Sequence, residues 1–284
     1  MFTQKEIQLS DSPITKEATI IRNEDVPAKS AILYLHGGGL IFGERDDLPN
    51  YHLQRLTDEG HVIITIDYLL APATKLPEIL EDLQGSLSTI LDKFEEWLGQ
   101  DIPYFLWGRS AGAFLSLWLG GKGNLTPPPQ GVISFYGYGF LADNWYESKN
   151  DYFNKTYPAL DATWLDQASD EPTVEGDPRD TMGIYIYARQ SGTWKELVYG
   201  EDDSHFLDRY SLRDLETYPV PLFLTHATGD YDVPYEEFQA LVEKYEATTF
   251  VVESQEHDYD RNTAIEETVD LLDKMIAFLD EQID

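Results

Sequence analysis

The pentapeptide Gly108-Arg109-Ser110-Ala111-Gly112 fits the pattern G-x-S-x-G. That pattern presents a serine hydroxyl on a sharp, strained turn between a strand and a helix, with Oγ free to attack. Small residues two positions either side let strand and helix approach closely. His36-Gly37-Gly38-Gly39 is a second candidate. Consecutive glycines let backbone N–H groups converge on one point without side chains in the way. Acyl transfer needs such donors where a tetrahedral oxyanion forms. A phosphate-binding loop is the competing reading of these glycines. However, HGGGLIFG has no following Lys-Ser/Thr pair, and no G-x-G-x-x-G opens a helix there.

Both motifs need rigid elements behind them, and the sequence supplies these. AILYLH (31–36) is a continuous apolar run leading into the glycines, and PYFLW (103–107) leads into the serine turn. Runs of this kind suit strands buried on both faces of a parallel sheet. VIITID (62–67) is another buried strand, and GVISFY (131–136), PLFLTH (221–226) and TTFVVE (248–253) are further strands. Between them the periodicity predicts helices over 46–59, 76–98, 111–119, 235–245 and 263–283, with Gly60 as a helix C-cap. The first thirty residues read as two polar-edged strands, the better one KEATIIR (16–22). Strand and helix alternating in this rhythm predict an α/β fold with a mostly parallel sheet covered by helices on both faces. Residues 137–218 break the rhythm. These 82 residues hold 15 of the 37 aromatic residues but no clear buried strand. They are expected to form a helical cap inserted into a core of 1–136 and 219–284.

Asp67-Tyr68-Leu69-Leu70-Ala71-Pro72 follows the 62–67 strand, with Leu76-Pro77 and Glu81-Asp82 beyond it. HGGG, then DYLLAP, then GRSAG in this order resembles the hormone-sensitive-lipase-like branch of the α/β-hydrolases, a group of carboxylesterases and lipases. The resemblance covers most of the chain outside 137–218. It implies an α/β-hydrolase fold and a triad in the order nucleophile, acid, histidine. Ser110 is then the nucleophile. Thr225-His226-Ala227-Thr228-Gly229-Asp230-Tyr231-Asp232-Val233-Pro234 is similar to the D-x-x-V-P that follows a late strand in many such enzymes, which points to Asp230, with Asp232 the runner-up. Of the six histidines, His36 belongs to the glycine loop, whose shape its ring holds in the family. His52 and His61 fall in a helix and at a strand start, His226 ends a strand, and His205 lies in the polar run GEDDSHF. His257, in the loop after the last strand, is the expected base, ahead of His205. The D-P-x-x-D-E and H-G-F segments common in the branch are absent. The family pattern also implies an oxyanion hole from the N–H groups of Gly38, Gly39 and Ala111.

Composition narrows the rest. Twenty basic against 52 acidic residues give a net charge of −32, and there is no cysteine. That charge argues against nucleic acid and against an anionic membrane surface as partners. The absence of cysteine removes disulfides and thiolate chemistry. No apolar stretch reaches the length of a spanning helix, and no secretory signal is evident, so a soluble, cytoplasmic location is expected. No cofactor or metal is expected, since no histidine cluster or metal-ligand spacing stands out. The sequence fixes no oligomeric state, and a homodimer is compatible with it. The expected function is a serine carboxylester hydrolase acting on small neutral esters with short to medium acyl chains. A prolyl-oligopeptidase-like peptidase or a sugar-ester deacetylase would share the same triad. A catalytically silent hydrolase fold serving as a binding module is the alternative from another class.

Overall fold

The computed structural model describes residues 1–10, 14–176, 178–200 and 205–283, with only the backbone described at 142–143 and 178–180. Eight strands form one sheet: β1 Thr3–Ser10, β2 Lys16–Arg22, β3 Ser30–Leu35, β4 His61–Ile66, β5 Tyr104–Arg109, β6 Val132–Phe135, β7 Leu222–Ala227 and β8 Thr248–Val252. Their order across the sheet is β1-β2-β4-β3-β5-β6-β7-β8. β1 pairs antiparallel with β2 and β2 antiparallel with β4, while every pair from β4 through β8 is parallel.

The continuous apolar runs follow from this arrangement. Every residue of β3, β4, β5, β6 and β7 is buried. Alternate side chains of a strand point to opposite faces, so a strand covered on both sides is apolar at most positions, with buried polar exceptions such as Thr65, Arg109 and Thr225. Leu33 and Leu35 join one core with α2 (Leu76–Asp92) and α4 (Ala111–Lys122). Ile32 and Tyr34 join a second core with α1 (Asn50–Asp58) and α10 (Glu266–Glu281). Between these lie α3 (Phe94–Leu98), α5 (Asp151–Thr156), α6 (Pro178–Ser191), α7 (Trp194–Val198), α8 (Phe206–Tyr210) and α9 (Tyr235–Lys244).

Several helix boundaries differ from the sequence expectation, among them the end of α4, which runs to Lys122 rather than 119. The helix expected from 46 begins only at Asn50, behind Pro49 at its N-cap. Upstream, the guanidinium of Arg45 is spent on Asp67, and Asp46 accepts from Thr65. The helix expected over 76–98 divides at Lys93 (φ −107°, ψ 3°) into α2 and α3, which lets both Phe94 and Leu98 bury. The last helix starts at Glu266 rather than 263, because turn hydrogen bonds continue past the 3-10 segment Tyr259–Arg261, with Thr263 N–H donating to Arg261 O and Ile265 N–H to Asn262 O.

The chain between β6 and β7 is helical, with α5 to α8 and two short 3-10 segments among its described residues. The parallel strands run in the same direction, so the loops following β3, β5, β7 and β8 emerge at one end of the sheet. Strand order reverses between β3 and β5, since β3 is followed in sequence by β4 on one side and β5 on the other. Crevices form at such switch points. Leu35 pairs in register with Gly108, and Ala227 with Val252. The first register brings the glycine loop beside the serine turn. The second brings the loop carrying Asp230 beside the loop carrying His257.

Candidate active site

Ser110 joins β5 to α4 in a conformation with φ 52° and ψ −118°. Its N–H donates to the Phe135 carbonyl at 2.9 Å, and its carbonyl accepts from Ala113 and Phe114. The turn is tight enough that a Cβ at Gly112 would lie 2.2 Å from the Leu35 carbonyl oxygen. The next residue, Ala111, opens the helix, so its N–H belongs to the first turn, where intrahelical acceptors are lacking.

His257 Nε2 lies 2.9 Å from Ser110 Oγ, and His257 Nδ1 lies 2.7 Å from Asp230 Oδ2. A carboxylate can only accept, so Nδ1 carries the proton and Nε2 is left to accept from the serine hydroxyl. The Asp230 side chain is fully buried, and its Oδ1 accepts from the N–H groups of Asp232 and Val233 at 2.8 and 3.0 Å. His226 Nε2 sits 3.3 Å from Asp230 Oδ2 and 3.0 Å from the Val233 carbonyl. Both neighbours are acceptors, so this nitrogen also bears hydrogen. Burial alone would raise the Asp230 carboxyl, but the two histidines hold it well below the usual carboxylate range. Burial alone would lower His257. The Asp230 carboxylate, with Asp232 and Asp258 behind it, outweighs that and pushes the imidazole up to about 9.

The glycine loop lies against the serine, where a Cβ on Gly37 would be 3.3 Å from Ser110 Cβ. Gly38 and Gly39 have φ of 105° and 63°. His36 is buried, stacks on Tyr68 at 4.2 Å and makes a 2.7 Å hydrogen bond through Nδ1 to the Gly37 carbonyl. Burial lowers its pKa and so favours the neutral ring. Asp67, at the start of DYLLAP, is buried and binds Arg45 through both carboxylate oxygens. Ala71 N–H donates to the Leu40 carbonyl, which ties this segment to the glycine loop.

Ser110 and His257 line a cavity of about 560 Å³ together with Gly37–Gly39. Phe42, Phe153, Tyr157, Met182, Tyr185 and Tyr231 give it an apolar, mostly aromatic lining, and Asp46, Asp47, Arg109, Asp258 and Arg261 add charged groups. The size matches a small-molecule pocket with a few polar groups.

A family model for the alpha/beta hydrolase fold matches residues 32–258. The chain belongs to the α/β-hydrolase family. Within it, the chain falls in the hormone-sensitive-lipase-like branch. A curated carboxylesterase from Papaver somniferum, 3-O-acetylpapaveroxine carboxylesterase CXE1, is 31% identical over 113 residues. That match spans 36% of this chain and only 34% of the relative, so it covers about a third of each. Two solved structures resemble this hydrolase along nearly the whole chain. A protein of unknown function from Staphylococcus aureus subsp. aureus Mu50 is 29% identical, with a TM-score of 0.85, covering 99% of this chain and 100% of that one. An alpha/beta hydrolase superfamily protein from Enterococcus faecalis is 26% identical, with a TM-score of 0.80, covering 98% and 99%.

Within this hydrolase the fold brings Ser110, His257, Asp230, Gly38, Gly39 and Ala111 to one place. The runner-up acid, Asp232, points elsewhere: it accepts from the Tyr185 hydroxyl and from Arg189 Nε at 2.9 Å. His205, the other candidate base, is exposed beside Asp208 and is not among the cavity-lining residues. Sequence reasoning missed the polar group behind the serine. Arg109 binds both oxygens of buried Asp260 at 2.9 Å and donates to Tyr136 at 2.6 Å, while His52 meets Asp260 at 2.9 Å. The signal was an arginine inside G-x-S-x-G, a charge that must find a partner if the turn is buried. Nothing in the sequence pointed to Asp260, one acid among 52.

Proposed function

We propose that this hydrolase is a serine carboxylester hydrolase that works through Ser110, His257 and Asp230 and a covalent acyl-enzyme. The observation that carries the reading is the unbroken hydrogen-bond chain from Ser110 Oγ through His257 to Asp230, at the floor of a cavity and on a strained turn. A serine hydroxyl is a weak nucleophile at neutral pH, so neutral His257 takes its proton as Oγ attacks the ester carbon. Asp230 holds the Nδ1–H tautomer and stabilises the imidazolium formed. The carbonyl oxygen becomes an oxyanion that accepts from the N–H groups of Gly38, Gly39 and Ala111. Imidazolium then protonates the leaving alcohol, and water repeats the sequence on the acyl-enzyme.

Residues 137–218 act in this reading as a cap that supplies Phe153, Tyr157, Met182 and Tyr185 to the pocket. A cavity of about 560 Å³ suits neutral esters with short to medium acyl chains better than long triglycerides. The poppy relative named for an acetylated compound agrees with a short acyl group, over the third of its length that matches. Among the described residues no helix is long and apolar enough to cross a membrane. The test is a panel of p-nitrophenyl esters of rising chain length, alongside peptide and acetylated-sugar substrates, with a fluorophosphonate probe for Ser110. Labelling abolished by Ser110→Ala, with turnover of acetyl to hexanoyl esters, is expected. An unlabelled protein, or one that cleaves only peptides, would overturn the reading.

A further inference from the structure

The oxyanion loop is held by its carbonyls, one after another. Gly38 O accepts from the N–H groups of Ile41 and Phe42 at 3.0 and 3.1 Å. Leu40 O accepts from Ala71 N–H at 2.8 Å. Between them, Gly39 O accepts from the indole Nε1–H of Trp194 at 2.8 Å, a bond that reaches across 155 residues from α7. The first two ties are made within the loop and by the DYLLAP segment. The third alone comes from the β6–β7 insertion.

Trp194 is built to stay where it is. It is buried, and its ring packs edge-on against Tyr138 and Tyr146 at 6.1 and 6.0 Å. The helix it opens is pinned by Lys75, whose Nζ donates to the Leu197 carbonyl at 2.6 Å. The backbone it grips is intrinsically permissive. Gly38, Gly39 and Leu40 all have positive φ, at 105°, 63° and 64°, and glycine peptides reorient at low steric cost. Tyr185 covers the same point, since a Cβ on Gly39 would lie 2.1 Å from its ring.

We propose that Trp194 is a positioning residue of the hydrolysis: the Gly38–Gly39 peptide, which carries the Gly39 amide, is held through Gly38 O, and the indole N–H, donated to Gly39 O, fixes the adjoining Gly39–Leu40 peptide, so that Gly39 cannot rotate and turn its amide away from the oxyanion. The proposal rests on reading Gly38 and Gly39 as oxyanion donors in an esterase. A donor aimed correctly matters most where charge develops, so its loss costs transition-state binding rather than substrate binding.

The test compares wild type, Trp194→Phe and Ser110→Ala with p-nitrophenyl acetate and a trifluoromethyl ketone, whose adduct with Ser110 carries an oxyanion. Deleting a whole oxyanion donor costs about 10²–10³ in kcat. Loosening one should cost less, on the order of tenfold, with KM within about twofold. The inhibition constant of the ketone should rise by the same factor as kcat falls. If Trp194→Phe melts far below wild type, 3-benzothienylalanine at position 194 keeps the bicyclic shape and removes only the N–H. Unchanged kcat, a rise in KM alone, or a fall in kcat without weaker ketone binding would overturn the proposal. Activity retained in Ser110→Ala would instead sink the esterase reading. A dead Ser110→Ala beside an unaffected Trp194 variant would sink only the role of Trp194.

Discussion

Ser110 sits at φ 52° without being glycine, and its Oγ has one partner of consequence, His257. Ser110→Ala removes a small side chain that is not needed to hold the turn. We expect it to leave the thermal melt unchanged and to lower kcat by about 10⁶, as loss of a triad nucleophile does elsewhere. Asp230→Asn should lower kcat by about 10⁴ by stabilising the wrong histidine tautomer. Asp232→Asn should behave differently. Its buried carboxylate is paired with Arg189, and breaking a buried pair costs about 3–5 kcal/mol. A fall in melting temperature, with a smaller kinetic loss than at Asp230, is expected. The reverse order of kinetic losses would reassign the acid.

The pH profile belongs to the same scale. His257 is pushed up from 6.5 to about 9 because the nearby carboxylates outweigh burial. A raised value means that the neutral ring, the form that takes the serine proton, gains population as pH climbs towards 9. kcat/KM should therefore climb with pH along a limb lying above 6.5 and reaching towards 9, and Asp230→Asn should move that limb down. An ascending limb at or below 6.5 in the wild type would contradict the electrostatics of the site. The three residues the fold brings into line could be singled out because each follows a strand, buried for Ser110 and Asp230 and only part-buried for His257, and chain order separates them. His226 was not legible as a partner of Asp230. Only the loop after β7, folding back on the strand's end, places its ring against the carboxylate.

The serine turn works as an element because β3, β5 and α4 approach almost to backbone contact. A Cβ on Gly112 would meet the carbonyl oxygens of Leu35 and His36 at 2.2 and 2.4 Å. Both obstacles are backbone, so Gly112→Ala must push α4 away from β3. The cost should be about 1–3 kcal/mol or more, read as a melting temperature several degrees lower and reduced turnover. Gly85 is the control. It is exposed on α2 with nothing within 4 Å of its added Cβ, so Gly85→Ala should stabilise the helix by about 0.5–1 kcal/mol without touching activity. A destabilised Gly85→Ala, or an unaffected Gly112→Ala, would contradict this packing. The strands were legible to within two residues, the largest miss being the end of β5 at Arg109 rather than 107, and in β3 to β7 burial on both faces leaves a largely continuous apolar signature. The helix ends were less so. The break at Lys93 comes from tertiary demand for both Phe94 and Leu98, which periodicity over 76–98 does not reveal. The insertion could be recognised by its aromatic content. Its ties to the loops, through Trp194, Tyr185 and Arg189, join residues 43 to 155 positions apart in the chain and leave no local pattern.

At the scale of the whole molecule the governing quantity is charge. The chain carries −32, and the cavity itself is lined by Glu44, Asp46, Asp47, Asp232 and Asp258 against Arg109 and Arg261. The arginines are largely engaged: Arg261 meets Asp47 and Asp258, and Arg109 meets Asp260. No net positive field remains to draw in an anion, and the surface field repels one during approach. A succinyl ester should therefore show lower kcat/KM than a neutral ester of matched length. The Debye length falls from about 30 Å at 0.01 M salt to about 10 Å at 0.1 M, so the long-range part of the penalty should shrink as salt rises. The part set by carboxylates lining the pocket should persist, because charges a few ångströms from the bound ester are screened far less. Measured with both esters from 0.01 to 0.5 M salt, the neutral-to-anionic ratio should start high, fall, and level off above one. A ratio near one at low salt would mean that the surface charge does not reach Ser110. A ratio that fell fully to one would mean that the lining acids are neutralised by Arg109 and Arg261 and that the discrimination lies outside the pocket.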